Sequence, residues 1–421
     1  MEPISSTDAG APLHQDEPGG APAFDPADPV FVADPYPTYA HLREHAPITW
    51  YAPEGFWLVS RHRDVDALLR DRRLGRVFTP KEPLERFGPW NLLNEHALLE
   101  LEPPDHTRLR GLVAKAFTPR RGERLRERIR ELADGLCDPL AEHGEADLIP
   151  TLAEPLPVAV IAELLGVPET DRHLLRPWSN AIVALYELAH DDETAERAVT
   201  AAREFDAYVR ELVAARRVRP GEDLLSALVA VRDEGDKLTE DELVATAILL
   251  LNAGHEASVN VIGNGVRALL AHRDQWERLL ADRSLLQAAA EEIIRFDTPL
   301  SLFQRTAFED VAVGDHVVSR GERVGLLLGS ANRDPAVFTA PDRLDVSRWP
   351  NPHVGFGAGI HFCLGAPLAR VEIQEALAAL LERFPSLELA AEPQPRSTFQ
   401  FRGFSHLPVR SAAALAAPGR G

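Results

Sequence analysis

Thr239 followed three residues later by Glu242 is a capping-box pattern, in which two side chains satisfy backbone amides at a helix start. Helical spacing of apolar residues then runs through Leu243–Leu251 and on to about His272. At ~1.5 Å per residue such a helix is about 50 Å long. Its middle is nearly all apolar, so it has to be buried on every side. A chain that holds it must wrap a large helical body around it. Gly254, His255 and Glu256 interrupt the apolar run. An interior glycine costs ~1 kcal/mol relative to alanine, and a buried carboxylate costs more unless it is paired. A defect in the middle of a buried helix points to function.

The rest of the chain predicts a mainly α fold with small β sheets. Helical spacing covers Val65–Leu69, Leu125–Leu140, Leu156–Leu165, Thr200–Arg216, Asp223–Val231 and Ala366–Phe384. Ile48–Ser60 alternates around Gly55 and Val311–Val324 around Gly314-Asp315, so each reads as a hairpin. Thr398–Arg410 is strand-like, and Asp25–Pro37 reads as a loop leading into the domain. A length of 421 residues alone suggests two or three domains. No repeat or linker divides the chain, however, so residues 24–421 are expected to form one domain. Residues 1–23 lack the basic start and apolar centre of a signal peptide and read as a disordered leader. No run of ~18 uncharged apolar residues offers a membrane span. A cytoplasmic monomer without membrane association is expected. The formal charge of −20 argues against nonspecific nucleic-acid binding. One stretch runs the other way. From His106 to Arg130 there are nine basic residues (Arg108, Arg110, Lys115, Arg120, Arg121, Arg124, Arg126, Arg128 and Arg130), opposed by Glu123 and Glu127 alone.

Two cysteines, Cys137 and Cys363, make neither a disulfide framework nor a multi-cysteine zinc site. A lone cysteine in a helical pattern is ordinarily an inert buried residue, and Cys137 is read that way. Cys363 has a different setting: Gly355-Phe356-Gly357-Ala358-Gly359-Ile360-His361-Phe362-Cys363-Leu364-Gly365, with helical spacing starting just after it. The glycines let backbone approach a flat ligand closely. Amides and the following helix N-terminus are expected to lower the thiol pKa.

This segment resembles the haem loop of the cytochrome P450 haem-thiolate monooxygenases, F-x-x-G-x-[HR]-x-C-x-G. Phe356, Gly359, His361, Cys363 and Gly365 fill its positions. The resemblance spans about Phe24 to Ala412 and implies a single interleaved domain of the cytochrome P450 fold. It implies haem b as cofactor, with the Cys363 thiolate as axial ligand to the iron and Phe356, Gly357 and Gly365 against the cofactor. Thiolate ligation is what suits such a haem to activating dioxygen.

Further motifs follow in the family's order. Glu292-Ile293-Ile294-Arg295 matches E-x-x-R, and an i,i+3 pair shares a helix face. In the family this pair joins an arginine of a later P-x-R segment, here Pro341-Asp342-Arg343. The implied Glu292–Arg295–Arg343 network is structural and braces the haem loop. His106 and Arg110 match H-x-x-x-R, which binds a haem propionate, and Arg305 and His361 match the other propionate contacts. Buried carboxylates need such cationic or donor groups.

The family's central helix carries A-G-x-[DE]-T, where this chain has Ala253-Gly254-His255-Glu256-Ala257-Ser258. The resemblance gives Gly254 the part of leaving room for dioxygen and Glu256 that of the acid. Ala257 stands where a threonine hydroxyl normally helps to deliver protons. Ser258 is one residue along, which turns its side chain by ~100°, although it could still hold a water. Three readings stay open: delivery by Glu256 and water with help from Ser258, delivery completed by a substrate hydroxyl or amide, or radical C–C or C–O coupling that depends less on proton supply. Peroxide-driven chemistry fits less well, because Glu256 is present.

The resemblance draws substrate contacts from three regions: Phe87, Trp90, Leu92, Leu93 and Asn94; Leu250, Ala253 and Ala257; and Leu300, Leu302, Phe399, Gln400 and Phe401. They are mostly apolar and suit an apolar or mixed small molecule, with core packing as the competing reading for each. A polyketide or cyclic-peptide secondary metabolite, hydroxylated or epoxidised, is the expectation. Electrons are expected from a separate ferredoxin or flavodoxin with its reductase, docked on the basic His106–Arg130 stretch. The alternative from another class is a non-catalytic haem-binding sensor.

Overall fold

A buried 50 Å helix needs neighbours along its whole length. In the computed structural model, which describes residues 23–188, 190–233 and 238–411, the central helix spans Glu240–Ala271. Its capping box closes both ways: the Thr239 amide donates to Glu242 at 2.8 Å and the Glu242 amide to the Thr239 hydroxyl at 3.1 Å. The helices around the site are, in chain order, α1 (Leu84–Glu95), α2 (Asp105–Val113), α3 (Pro119–Arg124), α4 (Arg126–Leu136), α5 (Pro155–Leu165), α6 (Arg172–Ala184), α7 (Asp192–Val218), the central α8, α9 (Leu286–Phe296) and α10 (Ala366–Arg383). α1, α5, α6, α7, α9 and α10 all pack on α8, and one apolar core from Phe87 to Val409 runs between them.

A small sheet flanks this body. Its strands are β1 (Ile48–Tyr51), β2 (Phe56–Val59), β3 (Leu74–Gly75), β4 (Leu302–Ala307) and β5 (Arg323–Leu327), ordered β1-β2-β5-β4-β3. Only β2 and β5 run parallel. Arg305 lies on β4 opposite Val324.

Several boundaries differ from the sequence reading. Asp25–Pro37 is not a plain loop: it holds a helix, Pro29–Ala33, capped by the Asp28 side chain, and the start of another, Tyr36–His45. Pro29, Pro35 and Pro37 sit at helix starts, where a missing N–H does no harm. Leu125–Leu140 breaks at Cys137 into α4 and Asp138–His143, the second with Pro139 in its first turn. The Val311 hairpin ends at Val318, and Arg323–Leu327 departs to the main sheet. In the tail only Phe404–His406 and Pro408–Arg410 are strands. The leader expected over 1–23 lies outside the described residues apart from Ala23. Among the described residues no helix is long and apolar enough to cross a membrane.

Candidate active site

The cysteine loop is shaped by two glycines in the left-handed region, Gly357 at φ +67° and Gly359 at φ +70°. A Cβ on Gly359 would lie 2.4 Å from the Leu69 carbonyl oxygen, so only glycine fits. The Cys363 amide donates to the Phe356 carbonyl at 2.9 Å and closes the loop just ahead of α10. Burial raises the Cys363 thiol pKa, against the pull of the Gly365 and Ala366 amides and of Arg110. The loop's amides thus pull in the expected direction, and burial outweighs them. A bound metal cation supplies the missing positive charge in such a setting, since a coordinating thiol is deprotonated outright. Cys137 is buried, and burial pushes its thiol up to about 12, as expected of an inert residue.

The brace beneath the loop is centred on Glu292 and Arg295, both 0% exposed. Arg295 clamps the carboxylate with two bonds of 2.7 and 2.8 Å. The second cation is Arg348, whose Nε lies 3.0 Å from Glu292 Oε2. Asn351 and the Asp345 amide add bonds of 3.1 and 2.9 Å. This corrects the expected Glu292–Arg295–Arg343 network. The Arg343 side chain is exposed, and the residue contributes its carbonyl oxygen, which accepts from Arg295 and Arg348. Asn332 carries the brace to the loop: its carbonyl accepts from Arg295 and its Oδ1 from the Val354 amide. Next to it, Glu291 binds His353 and Arg370. Although burial opposes ionisation, those two bonds hold the Glu291 carboxyl at about 2. Arg370 in turn lies 4.6 Å over the Phe356 ring.

His106, Arg110, Arg305 and His361 converge on the other side of the loop. The rings of His106 and His361 are 4.5 Å apart. His361 Nε2 bonds Glu102 at 2.8 Å, and Arg110 donates to the Phe362 carbonyl at 2.7 Å. His106 Nε2 and Arg305 Nη2 are buried with no partner among the described residues. Burial drives the His106 pKa down to about 4; burial, then Arg76, lower that of Arg305 to about 9. Unsatisfied buried donors beside a surplus of positive charge fit the carboxylates of a haem. Glu102 and Arg76 were not found from sequence. The Arg76 amide also donates to Glu102, and its guanidinium pairs with Glu100.

On α8, Ala253 is exposed and Gly254 and Ala257 are half-buried, although the residues on either side are buried. This face of the helix therefore meets open space. Gly254 also has a packing task that the sequence did not announce: a Cβ there would lie 2.6 Å from Ile161 Cγ1, so its absence lets α5 approach. Glu256 is buried and pairs with Arg396, which also reaches Asn260 at 3.3 Å. The pair forms one wall of a polar cavity of about 280 Å³, also lined by Glu154, Arg176, His255 and His406. His255 Nδ1 donates to the Leu251 carbonyl at 2.8 Å, and its Nε2 has no described partner. Ser258 points elsewhere. Its hydroxyl donates to the fully buried Glu372 of α10 at 2.8 Å, so it leaves the Ala253–Ala257 face without a hydroxyl.

The candidate substrate contacts divide. Leu302 and Phe399 follow the competing core reading. Leu302 packs with Phe56 and Leu58, and Phe399 lies 5.3 Å from Phe24 and 5.6 Å from Phe31. Phe87, Leu93 and Leu250 also belong to the main core. Trp90 and Asn94 are buried and committed: Trp90 Nε1 donates to the Ile182 carbonyl, and Asn94 bonds the Trp90 carbonyl and the Tyr186 hydroxyl. Leu92, Leu300, Gln400 and Phe401 stay half-buried, with Leu300 and Phe401 joined by a β-bridge.

Comparison with known proteins agrees with this arrangement. Residues 171–411 match the Cytochrome P450 family. The chain is 45% identical to cytochrome P450 monooxygenase PikC of Streptomyces venezuelae, over 90% of this chain and 92% of that one. It is 43% identical to the mycinamicin IV hydroxylase/epoxidase of Micromonospora griseorubida, over 88% of this chain and 94% of that one. Among solved structures, P450BioI in complex with an acyl carrier protein ligated to hexadec-9Z-enoic acid superposes with a TM-score of 0.87 at 38% identity, covering 91% of this chain and 100% of that one. With its glycine-shaped cysteine loop, the cluster of buried donors beside it and these relatives, the chain belongs to the cytochrome P450 family of haem-thiolate monooxygenases.

Proposed function

We propose that this monooxygenase hydroxylates or epoxidises a secondary metabolite such as a polyketide or cyclic peptide, and that the substrate completes its own proton delivery. Haem, when bound, supplies oxygen activation. Cys363 would hold its iron, and His106, Arg110, Arg305 and His361 its propionates. The observation that carries the proposal is the Ala253–Ala257 face of α8. It is small and apolar, which suits a bulky apolar ligand, and it offers no hydroxyl, because Ala257 has none and Ser258 gives its own to Glu372. Glu256 remains as the acid, held by Arg396 at the wall of the polar cavity. A hydroxyl or N–H on the substrate then fills the place of the missing side chain. The relative named mycinamicin IV hydroxylase/epoxidase supports this substrate class. The test is product formed per reductant for a good substrate and for an analogue lacking one hydroxyl or N–H. A positioned donor is worth ~10²–10⁴-fold in proton transfer. Coupling is expected to fall sharply for the analogue and to recover partly in Ala257→Thr. Equal coupling for both substrates, with uniform loss in Ser258→Ala, would return the task to Ser258 and water.

Electrons come, in this reading, from an acidic ferredoxin or flavodoxin. Arg126, Arg128 and Arg130 are tied up in local ion pairs, and Arg108 bonds Glu242 and Asp105. Lys115, Arg120, Arg121 and Arg124 are exposed and form no ion pair with another described residue. Three of them lie on α3, whose Gly122 sits against Pro367 in the first turn of α10. Reversing Arg120, Arg121 and Arg124 to Glu should slow reduction of the iron and flatten its salt dependence, since screening acts over ~8 Å at physiological ionic strength. Reduction indifferent to both would remove this docking face.

A further inference from the structure

Tyr186 and Glu187 are neighbours in the connector between α6 and α7, and they reach in different directions. The Tyr186 hydroxyl donates to Asn94 Oδ1 on α1 at 2.5 Å, with its ring 5.6 Å from that of Trp90. The Glu187 carboxylate reaches the tail. Its Oε2 accepts from the Phe399 and Gln400 amides at 3.0 and 2.9 Å, and its Oε1 from the Phe401 amide at 3.2 Å. Three successive amides converging on one anion form a nest. Glu187 forms no ion pair with a described residue. Burial raises its pKa, and the three amides, with Arg396 at longer range, work against that.

Such a contact has two good states and a poor one between them. With the connector against the tail, carboxylate and amides satisfy each other. With it lifted away, water satisfies both. Part-way, a carboxylate and three amides are left without partners, which is costly. The amides belong to the turn whose Gln400 and Phe401 are half-buried candidates for the chamber wall, and the other anchor is on α1, which supplies Trp90 and Asn94.

We propose that Glu187 is a positioning residue that latches the connector to the 399–401 turn, so that shutting the connector and shaping that wall of the substrate chamber are one event. The proposal rests on the reading of the Ala253–Ala257 face as the floor of that chamber. Its test uses the haem-loaded full chain, stopped-flow absorption and two probes. Carbon monoxide is small enough to need no opening, and a bulky azole that ligates haem iron through nitrogen needs one. Glu187→Ala should raise both association and dissociation rates of the azole about tenfold or more, as expected for losing hydrogen bonds to a charged group. The isosteric Glu187→Gln should give an intermediate increase, Tyr186→Phe a smaller one, and carbon monoxide rates should not change. Azole rates equal to wild type in both Glu187 variants would overturn the latch, as would equal acceleration of both probes, which marks general loosening. If Glu187→Ala does not load haem, amide exchange in the wild type decides: segments 185–188 and 398–402 should open together, and independent opening overturns the proposal. A wild-type carbon monoxide complex without the thiolate absorption would instead indict the haem reading itself.

Discussion

Glu292 and Glu256 are both buried, both sit on helices and both pair with arginine, yet their surroundings differ. Glu292 receives two bonds from Arg295 and further ones from Arg348, Asn351 and the Asp345 amide. Both of its oxygens are fully engaged. Glu256 has one arginine, Arg396, and its cavity is also lined by His255 and Glu154, which each keep a polar atom without a described partner. A saturated network resists change, because moving any member exposes another's charge. A half-satisfied one leaves room for water and for a proton to move. The chain thus keeps its rigidity under the cysteine and its slack along the central helix.

The comparison breaks most visibly at the thiolate. Cys363→Ser should abolish the red-shifted absorption of the reduced carbon monoxide complex, whereas Cys137→Ser should leave it intact; the reverse outcome would misplace the axial ligand. Next in size is the brace. Arg295→Ala leaves the Glu292 carboxylate short of its bidentate partner, and removing one member of a buried ion network costs ~3–5 kcal/mol. Little haem-loaded protein should result, while Arg343→Ala, which keeps the carbonyl that matters, should load haem normally. Comparable loss in both variants would restore Arg343 to the network.

Glu372, bonded to the central helix through Ser258, carries a smaller and pH-dependent effect. Burial pushes its carboxyl up to about 7, from an ordinary 4.5, against the bond from Ser258, and its Oε1 has no described partner. Between those values the folded protein holds a proton that the unfolded chain has lost. Stability from this group is therefore full below about pH 4.5, declines as the pH rises and levels off above about 7. The total is of order 3 kcal/mol. Glu372→Gln should remove that decline, so the gap in melting temperature between variant and wild type should shift in the variant's favour from pH 5 to pH 8. A gap that stays constant with pH would mean that Glu372 is already ionised or already paired.

What could be read from the sequence was whatever depends on near neighbours along the chain. The Thr239–Glu242 cap and the apolar run behind it fix α8 by local rules, and the glycines around Cys363 announce a backbone that side chains would block. Arg348 was missed because Pro341-Asp342-Arg343 offers an arginine five residues earlier, and only the path of the loop decides which side chain turns inward. Leu302 and Phe399 show alternation, which says that one face is covered and not by what. Arg396 and Glu187 carry no local signal at all: their partners lie 140 and more than 200 residues away.

That distance has a consequence for how the protein is made. Glu256 and Arg396 are separated by 140 residues. At ~5–20 residues per second of synthesis, the acid leaves the ribosome about 7 to 28 s before the arginine that pairs with it exists. Gly403, which presses on Asn260, and the 399–401 amides that receive Glu187 emerge later still. For that interval the Glu256–Asn260 side of the central helix lacks the cover that the tail will bring, and a nascent chain has the most to gain there from a chaperone or from early capture of its cofactor.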